Sequence, residues 1–595
     1  MSDFKLILKY MKGCRTFYFL AVLFTALSIV CSRLVPLVVK FTIDNVINGE
    51  RLDSSLLSKI YHFLGGRSFV IENLWIIGLI VLVISFFNAL FNYLREKFVG
   101  YTSENFAKRL RNDLYNVILK AENIFYSKFQ SGDVVQRCTS DVDNVRRFIA
   151  SDAIIVWRIL FMVIFVLFIM IRIDVKMTII SSLSLPVLTG IALWFFTIVK
   201  KHFEKVDEAE ASVTSVLQEN ITGVRVVKAF TREDYEIEKF LKKNAEFRKL
   251  DLKLIKLFAI FWTVSDFIAL FQFTLVIVVG TYFAVKGNIS VGTLVAFTTY
   301  VGMLVWPARE LGMLLSNFGK VKVSVKRINE ILSQQLEELD NGTNIMKISG
   351  DIEFKDVWFG YKPEHPVLKG VSFKIRSGET VAFFGSTGSG KSTAIALLMR
   401  MYEPDKGKIL VDGIDIRQIP KSILRRNIGL VPQETFLFSK TVRENISITK
   451  PHATYDEIVH SAKLASVHED IVQLESGYDT LVGEKGINLS GGQSQRVTIA
   501  RTLIKDYSIL IFDDSMSAVD TETENQIRKA IREKSKSRTT IVVSHRISSI
   551  KDVEKIIVFE AGRISNIGTH DELINQPGLY QRVWKIENFL KSTGE

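Results

Sequence analysis

Six stretches in the first half of the chain are long and oily enough to cross a bilayer, at residues 17–39, 74–94, 154–171, 177–198, 257–285 and 293–318. Crossing the hydrocarbon takes about 20 helical residues. Lipid offers the backbone no hydrogen-bond partners, so each stretch must close its own bonds as a helix. The first stretch is too long for a signal peptide, lacks a small-residue cleavage site and runs on past Pro36 into Lys40, so it reads as a retained span. Composition agrees: of 595 residues 48% are hydrophobic and 11% aromatic, high for a soluble protein with 23% charged residues.

Charge sets the orientation. Lys5, Lys9, Lys12 and Arg15 precede the first span. The connection between spans two and three carries a long basic series from Arg95 to Arg147, and that between spans four and five another from Lys200 to Lys256. The remaining connections are short or mixed in sign. The positive-inside bias therefore places both termini and both basic connections in the cytoplasm. The net charge of +13 follows from this topology together with attraction to anionic headgroups. No basic run is interleaved with stacking aromatics, so nucleic acid is not an expected partner. Cys14, Cys31 and Cys138 have neither disulfide-framework nor zinc spacing.

The two basic connections are each about 55–60 residues, poor in Pro and Gly, with apolar residues at helical spacing. Residues 95–120 and 206–222 read as helices continuing beyond the membrane. From residue 321 the chain turns polar, and a linker is expected near 334–349. Strand-like runs follow at 352–358, 380–384, 409–411, 508–512 and 540–543, alternating with helices, which implies a largely parallel sheet. The expected fold is an all-α six-helix transmembrane domain (1–335), a linker (336–349) and an α/β P-loop nucleotide-binding domain (350–590).

Gly385-Ser386-Thr387-Gly388-Ser389-Gly390-Lys391-Ser392 is a phosphate loop between an apolar strand and a helix start, and Thr393 extends its nucleotide-binding set. Its glycines let backbone N–H groups converge on phosphate oxygens. Lys391 is placed to reach the β- and γ-phosphates of ATP and Ser392 to ligate Mg²⁺. About a hundred residues later stands Leu489-Ser490-Gly491-Gly492-Gln493. Phosphate loop and LSGGQ together resemble the ATP-binding-cassette family, in which ATP is sandwiched between the phosphate loop of one cassette and the LSGGQ of another.

That resemblance implies further roles. Tyr361 would stack on adenine, and Gln433 would contact Mg²⁺ and the attacking water. Asp513, ending the Walker B strand, would hold Mg²⁺ through water. His545 would bond the γ-phosphate, and Asp520, in Ser517-Ala518-Val519-Asp520, would lie in the loop crossing to the other active site. Residues 482–486 resemble the loop that touches the partner's coupling helix in exporters. The turns at 126–139 and 223–232 would be the coupling helices.

One residue departs from the pattern. A competent cassette has glutamate after the Walker B aspartate, and here the position is Asp514. Losing one methylene withdraws the carboxylate by about 1.5 Å, and a misplacement of about 1 Å can cost a hundredfold in rate. With LSGGQ intact, the combination resembles the degenerate-site subunit of a heterodimeric exporter. A homodimer in which aspartate suffices, an engineered change, or an ATP-gated channel or regulatory membrane protein remain alternatives.

Charges inside spans are costly and usually face a cavity or partner. Asp266 and Arg309 are expected to face a central cavity with Trp306, paired or touching substrate, whereas Arg33 and Arg158 read more simply as snorkelling. The 42 phenylalanines hint at a drug- or lipid-like amphipathic substrate. The expected protein is a multi-pass plasma-membrane exporter subunit using ATP and Mg²⁺, with a second half-transporter and membrane lipids as partners.

Overall fold

A computed structural model describes residues 3–50, 66–337, 348–362, 364–483, 486, 488–516, 521–534 and 538–592. The chain forms two compact units, Met1–Ala121 with Phe129–Gln334, and Glu122–Lys128 with Gln335–Glu595.

The first unit is helical. After a short α1 (Asp3–Tyr10) come α2 (Arg15–Phe41) and α3 (Trp75–Lys120). A helical run over Ser131–Ile173 ends in α5 (Ala153–Ile173), with α4 (Asn123–Lys128) before it. Next come α6 (Val175–Ser182), α7 (Ser184–Thr222), α8 (Val224–Ala229), α9 (Glu233–Val285) and α10 (Val291–Leu332). Five of the runs are long and apolar enough to span a membrane, and the sixth expected span falls in α10, whose apolar part is Val291–Pro307.

The 46 residues of α3 reach about 69 Å at 1.5 Å per residue, and the 53 of α9 about 80 Å, against roughly 30 Å of hydrocarbon. More than half of each helix therefore lies beyond the lipid. On α3 the change of solvent is visible in the burial. Its apolar window buries nothing against protein, as suits lipid contact. Its later half buries Val99, Ser103, Phe106, Leu110 and Leu114, one stripe at steps of three and four. The break between α6 and α7 has a local cause: Pro186 lacks the N–H that would bond the Ser182 carbonyl.

The first tip differs from the expected turn at 126–139. The turn helix is α4, three residues earlier, flanked by extended Ala121 and Gln130, and it belongs to the second unit. Residues from Ser131 onward already belong to the next long helix. Gly132 sits in the first turn of that helical run. The second tip, α8, lies within the expected 223–232.

The described residues of the second unit form two sheets. Six strands run in the order β10-β9-β3-β8-β7-β6, with β3 (Thr380–Phe384), β6 (Ile428–Val431), β7 (Ile509–Asp513), β8 (Thr539–Ser544) and β9 (Lys555–Glu560) parallel. Strand β10 (Arg563–Gly568) adds an antiparallel edge. A separate antiparallel sheet, β2-β1-β4-β5, joins β1 (Ile352–Phe359), β2 (Leu368–Ile375), β4 (Lys406–Val411) and β5 (Ile414–Asp415). Both pairings of β1 are interrupted by a β-bulge at Asp356, where φ is +46°, and its antiparallel partner β4 lies beyond the phosphate loop, so the alternation around that loop does not reveal this sheet. Phe354, Phe373, Phe383 and Phe559 pack between the two sheets and tie them into one core.

Candidate nucleotide site and membrane cavity

Strand β3 delivers the chain to Gly385 at the sheet's carboxyl edge, where ligands of parallel α/β sheets bind. A Cβ on Gly385 would collide with the Phe559 carbonyl oxygen, so only glycine fits. Gly390, at φ +105°, turns the chain into α11 (Lys391–Leu398). Between them Ser389 is buried and its N–H bonds the Ser386 carbonyl at 3.2 Å. The Lys391 ammonium donates to the Gly385 and Ser386 carbonyls, both at 2.8 Å. Burial lowers its pKa below the ordinary lysine value, opposed by Asp513 and Asp514.

The loop borders a cleft of ≈ 330 Å³ lined by Thr387, Gly388, Gly390, Lys391, Ser392 and Thr393, and on the other side by Tyr361, Gln433, Asp513, Asp514 and His545. The topology assembles them. Asp513 ends β7, Asp514 follows it, and His545 follows β8, the neighbouring strand. Asp514 adopts φ +45°, a region Asp tolerates better than most residues, and its N–H bonds the Val543 carbonyl at 3.1 Å. Its carboxylate lies 3.3 Å from His545 Nδ1. Tyr361 is half exposed, held edge-on by Phe359 and Tyr402, with its hydroxyl 3.3 Å from Thr393 Oγ1. A ring held that way leaves a face free for a flat base. Val367 and Ser544 also line the cleft, although an isolated valine and a strand-end serine carry no spacing signal.

The donor set suits Mg²⁺. Ser392 Oγ donates to Asp513 Oδ1 at 3.2 Å. Burial raises the Asp513 pKa, Ser392 opposes the shift, and the neighbouring Asp514 adds to it. A cation would relieve this crowding of carboxylates. Among the described residues no cluster of three acidic, His or Cys ligands exists. That fits an ion held by one carboxylate, one hydroxyl and phosphate oxygens rather than by a protein cage.

Ser490 caps α12 (Gly491–Leu503) in a reciprocal box: its Oγ accepts from Gln493 N at 3.2 Å, and Gln493 Oε1 accepts from Ser490 N at 3.0 Å. Gln493 is further held by Asp470 at 3.2 Å, and Leu489 packs on the apolar cluster beneath. A Cβ on Gly491 would meet open space. The helix start is thus a rigid array of N–H groups with room in front for an anion. None of Leu489, Ser490, Gly491, Gly492 and Gln493 lines the cleft of the same chain. Asp520 and the rest of 517–520 lie outside the described residues, as do Glu484 and Lys485.

Comparison with known proteins decides the family. Residues 18–308 match the ABC transporter transmembrane region and residues 368–517 the ABC transporter family. The chain is 34% identical over 596 residues to YgaD of Bacillus subtilis, a protein assigned provisionally to multidrug export, covering 99% of this chain and 100% of that one. A Staphylococcus aureus protein with the same provisional assignment is 36% identical over 564 residues, 93% of this chain and 94% of its own. The chain belongs to the ABC exporters. Among solved structures it resembles a bacterial Atm1-family ABC exporter with ATP bound, at TM-score 0.79 and 26% identity, covering 96% of this chain and 99% of that one. It is thus a multi-pass half-transporter with one helical membrane unit and one ABC ATPase unit.

The exporter's membrane unit contains a cavity of ≈ 610 Å³ whose wall includes Arg33, Asn88, Arg95, Arg158, Trp306 and Glu310. Of the three expected substrate residues, Trp306 is there. Arg309 and Asp266 do not line it, but the expected pairing between them is present at 2.7 Å, with Arg309 buried over the Trp262 ring. The pairing offsets the cost of both charges within the helices. Arg158, read from sequence as snorkelling, instead reaches Glu310 with both carboxylate oxygens at 2.7 and 2.8 Å. Arg33 also faces this cavity rather than the interface. Which charge neutralises which depends on helix packing, and spacing along the chain does not reveal it.

Proposed function

We propose that this exporter is one subunit of a heterodimer that uses ATP and Mg²⁺ to move an amphipathic substrate across the plasma membrane, with its termini and ATPase unit in the cytoplasm. Tyr361 would stack on adenine while the phosphate loop and Lys391 hold the phosphates. Ser392, Asp513 and Gln433 would hold Mg²⁺, which when bound neutralises phosphate charge. The signature residues are held by a capping box and do not line the cleft of their own chain, which suits completion of the partner's site. Closure of two cassettes on shared ATP would favour one orientation of the membrane helices, and hydrolysis would release it.

The observation carrying the heterodimer is Asp514, a shorter acid where glutamate would orient the attacking water, drawn toward His545 at 3.3 Å. A carboxylate withdrawn by about 1.5 Å leaves this cleft as a slow or silent site. The partner would then carry the glutamate and an altered signature. The presence of His545 in the cleft favours a second reading, a homodimer in which aspartate is adequate. ATPase assays on the purified chain alone separate the two. Turnover about a hundredfold below that of the assembly with a glutamate-bearing partner is expected. Ordinary transporter turnover by this chain alone would rule out the heterodimer.

A further inference from the structure

We propose that the membrane cavity is a binding site for organic anions, amphiphiles bearing a carboxylate, sulfonate or phosphate group that Arg33 clasps. The inference rests on reading the membrane unit as the substrate pathway and names the substrate's charge. The cavity wall sets three arginines, Arg33, Arg95 and Arg158, against one acid, Glu310. Arg158 is matched by Glu310 at 2.7 Å, and Arg95 by the adjacent Glu96 at 2.6 Å. Arg33 has no carboxylate among the described residues. Its two terminal nitrogens point at thioethers, Met303 Sδ at 2.8 Å and Met162 Sδ at 2.7 Å, and among the described residues its Nε has no partner.

Thioether sulfur is among the weakest acceptors a protein offers, and methionine side chains are easily displaced. A guanidinium fork is built for the paired oxygens of a carboxylate, sulfonate or phosphate. The helix backbone that carries it is tied to the sixth span, because the buried Tyr300 donates its hydroxyl to the Arg33 main-chain carbonyl at 2.9 Å. Asn88 adds a second donor. Its Oδ1 already accepts from Ser28 at 2.6 Å and from Asn92 at 3.0 Å, so its amide N–H groups are what it has left to offer a ligand. Ile29, Ile159 and Trp306 supply an apolar wall for the rest of the molecule. An unmatched cation repels cationic drugs while attracting anions, so the cavity discriminates by sign.

The test is equilibrium binding of radiolabelled taurocholate to the assembled transporter in phosphatidylcholine nanodiscs, with tetraphenylphosphonium as the cationic comparison. Taurocholate is expected to bind the more tightly. Arg33→Met should weaken it by about tenfold or more without weakening the cation. Retained thermal stabilisation by Mg·ATP shows that the variant is folded. Glu310→Gln, which frees Arg158, should tighten taurocholate binding. Competition by phosphatidylglycerol in the disc would assign the site to a lipid headgroup, and competition by inorganic phosphate alone to a soluble anion. Preference for the cation, binding of neither probe, indifference to Arg33→Met, or loosening by Glu310→Gln would each overturn the inference. Intact binding without ATP-driven transport would count against the proposed function alone.

Discussion

At the scale of single residues, two side chains carry the readings proposed above, Asp514 and Arg33. Asp514 was legible in the sequence as a departure, and its surroundings give that departure a geometry. The residue stands at φ +45°, where an aspartate is better tolerated than a glutamate. Replacing Asp514 with Glu is therefore expected to act in two directions. Turnover at this chain's own cleft should rise by about a hundredfold as the carboxylate regains its reach, while the backbone strain costs under about 1 kcal/mol of stability. Phosphate release and thermal melting measured on the same preparation check both halves. Arg33 was named as a charge within a span but not as an unmatched one. Nothing along the chain says that its neighbours would be Met162 and Met303, 129 and 270 positions away.

At the scale of elements, the cytoplasmic ends of two long helices were read closely from the sequence. The expected cytoplasmic extensions at 95–120 and 206–222 end where α3 and α7 end, at Lys120 and Thr222. The signature helix begins at its serine because Ser490 and Gln493 complete a capping box from four consecutive residues. Long-range anchors were not readable. Asp44 is buried, pairs with Lys40 at 3.0 Å, and accepts from the Gly292 N–H at 2.8 Å, joining the end of the first span to the start of the sixth. Glu337, beyond α10, is held by Arg425 at 2.7 Å and Lys421 at 3.1 Å.

The hydrogen bonds from Arg425 hold the Glu337 carboxyl below its ordinary 4.5, so the folded state favours the ionised form. Its stabilisation is complete above the unfolded value and fades as pH falls through the lowered one. Glu337→Gln should lower Tm at neutral pH by about 2–4 °C, for a contribution of about 1 kcal/mol. The gap between variant and parent should narrow as pH falls below the ordinary glutamate value and close once the lowered one is passed, in melts followed across the acid range.

At the scale of the whole molecule, the signature helix and the cleft of one chain serve different sites in the proposed assembly. Ser490→Asp separates them. Aspartate caps a helix about as well as serine, so melting should not change, but its charge opposes a γ-phosphate. Steady-state hydrolysis by the assembly is expected to fall by a hundredfold or more, since one lost transition-state donor alone costs about that much. Photolabelling of this chain's own cleft by azido-ATP should persist. Loss of both together would mean that the signature serves its own chain.

What the sequence determined alone was everything governed by neighbours along the chain or by the solvent. Lipid forces a continuous apolar run into a helix, a phosphate loop must have glycines where the backbone turns inward, and a cap needs its residues within one turn. What only the tertiary structure decided was pairing across distance. It matched Arg158 with Glu310, left Arg33 without a carboxylate among the described residues, and added a second antiparallel sheet. Those outcomes follow from which faces pack together, and a linear order of residues does not encode the winner when several partners of the right charge compete.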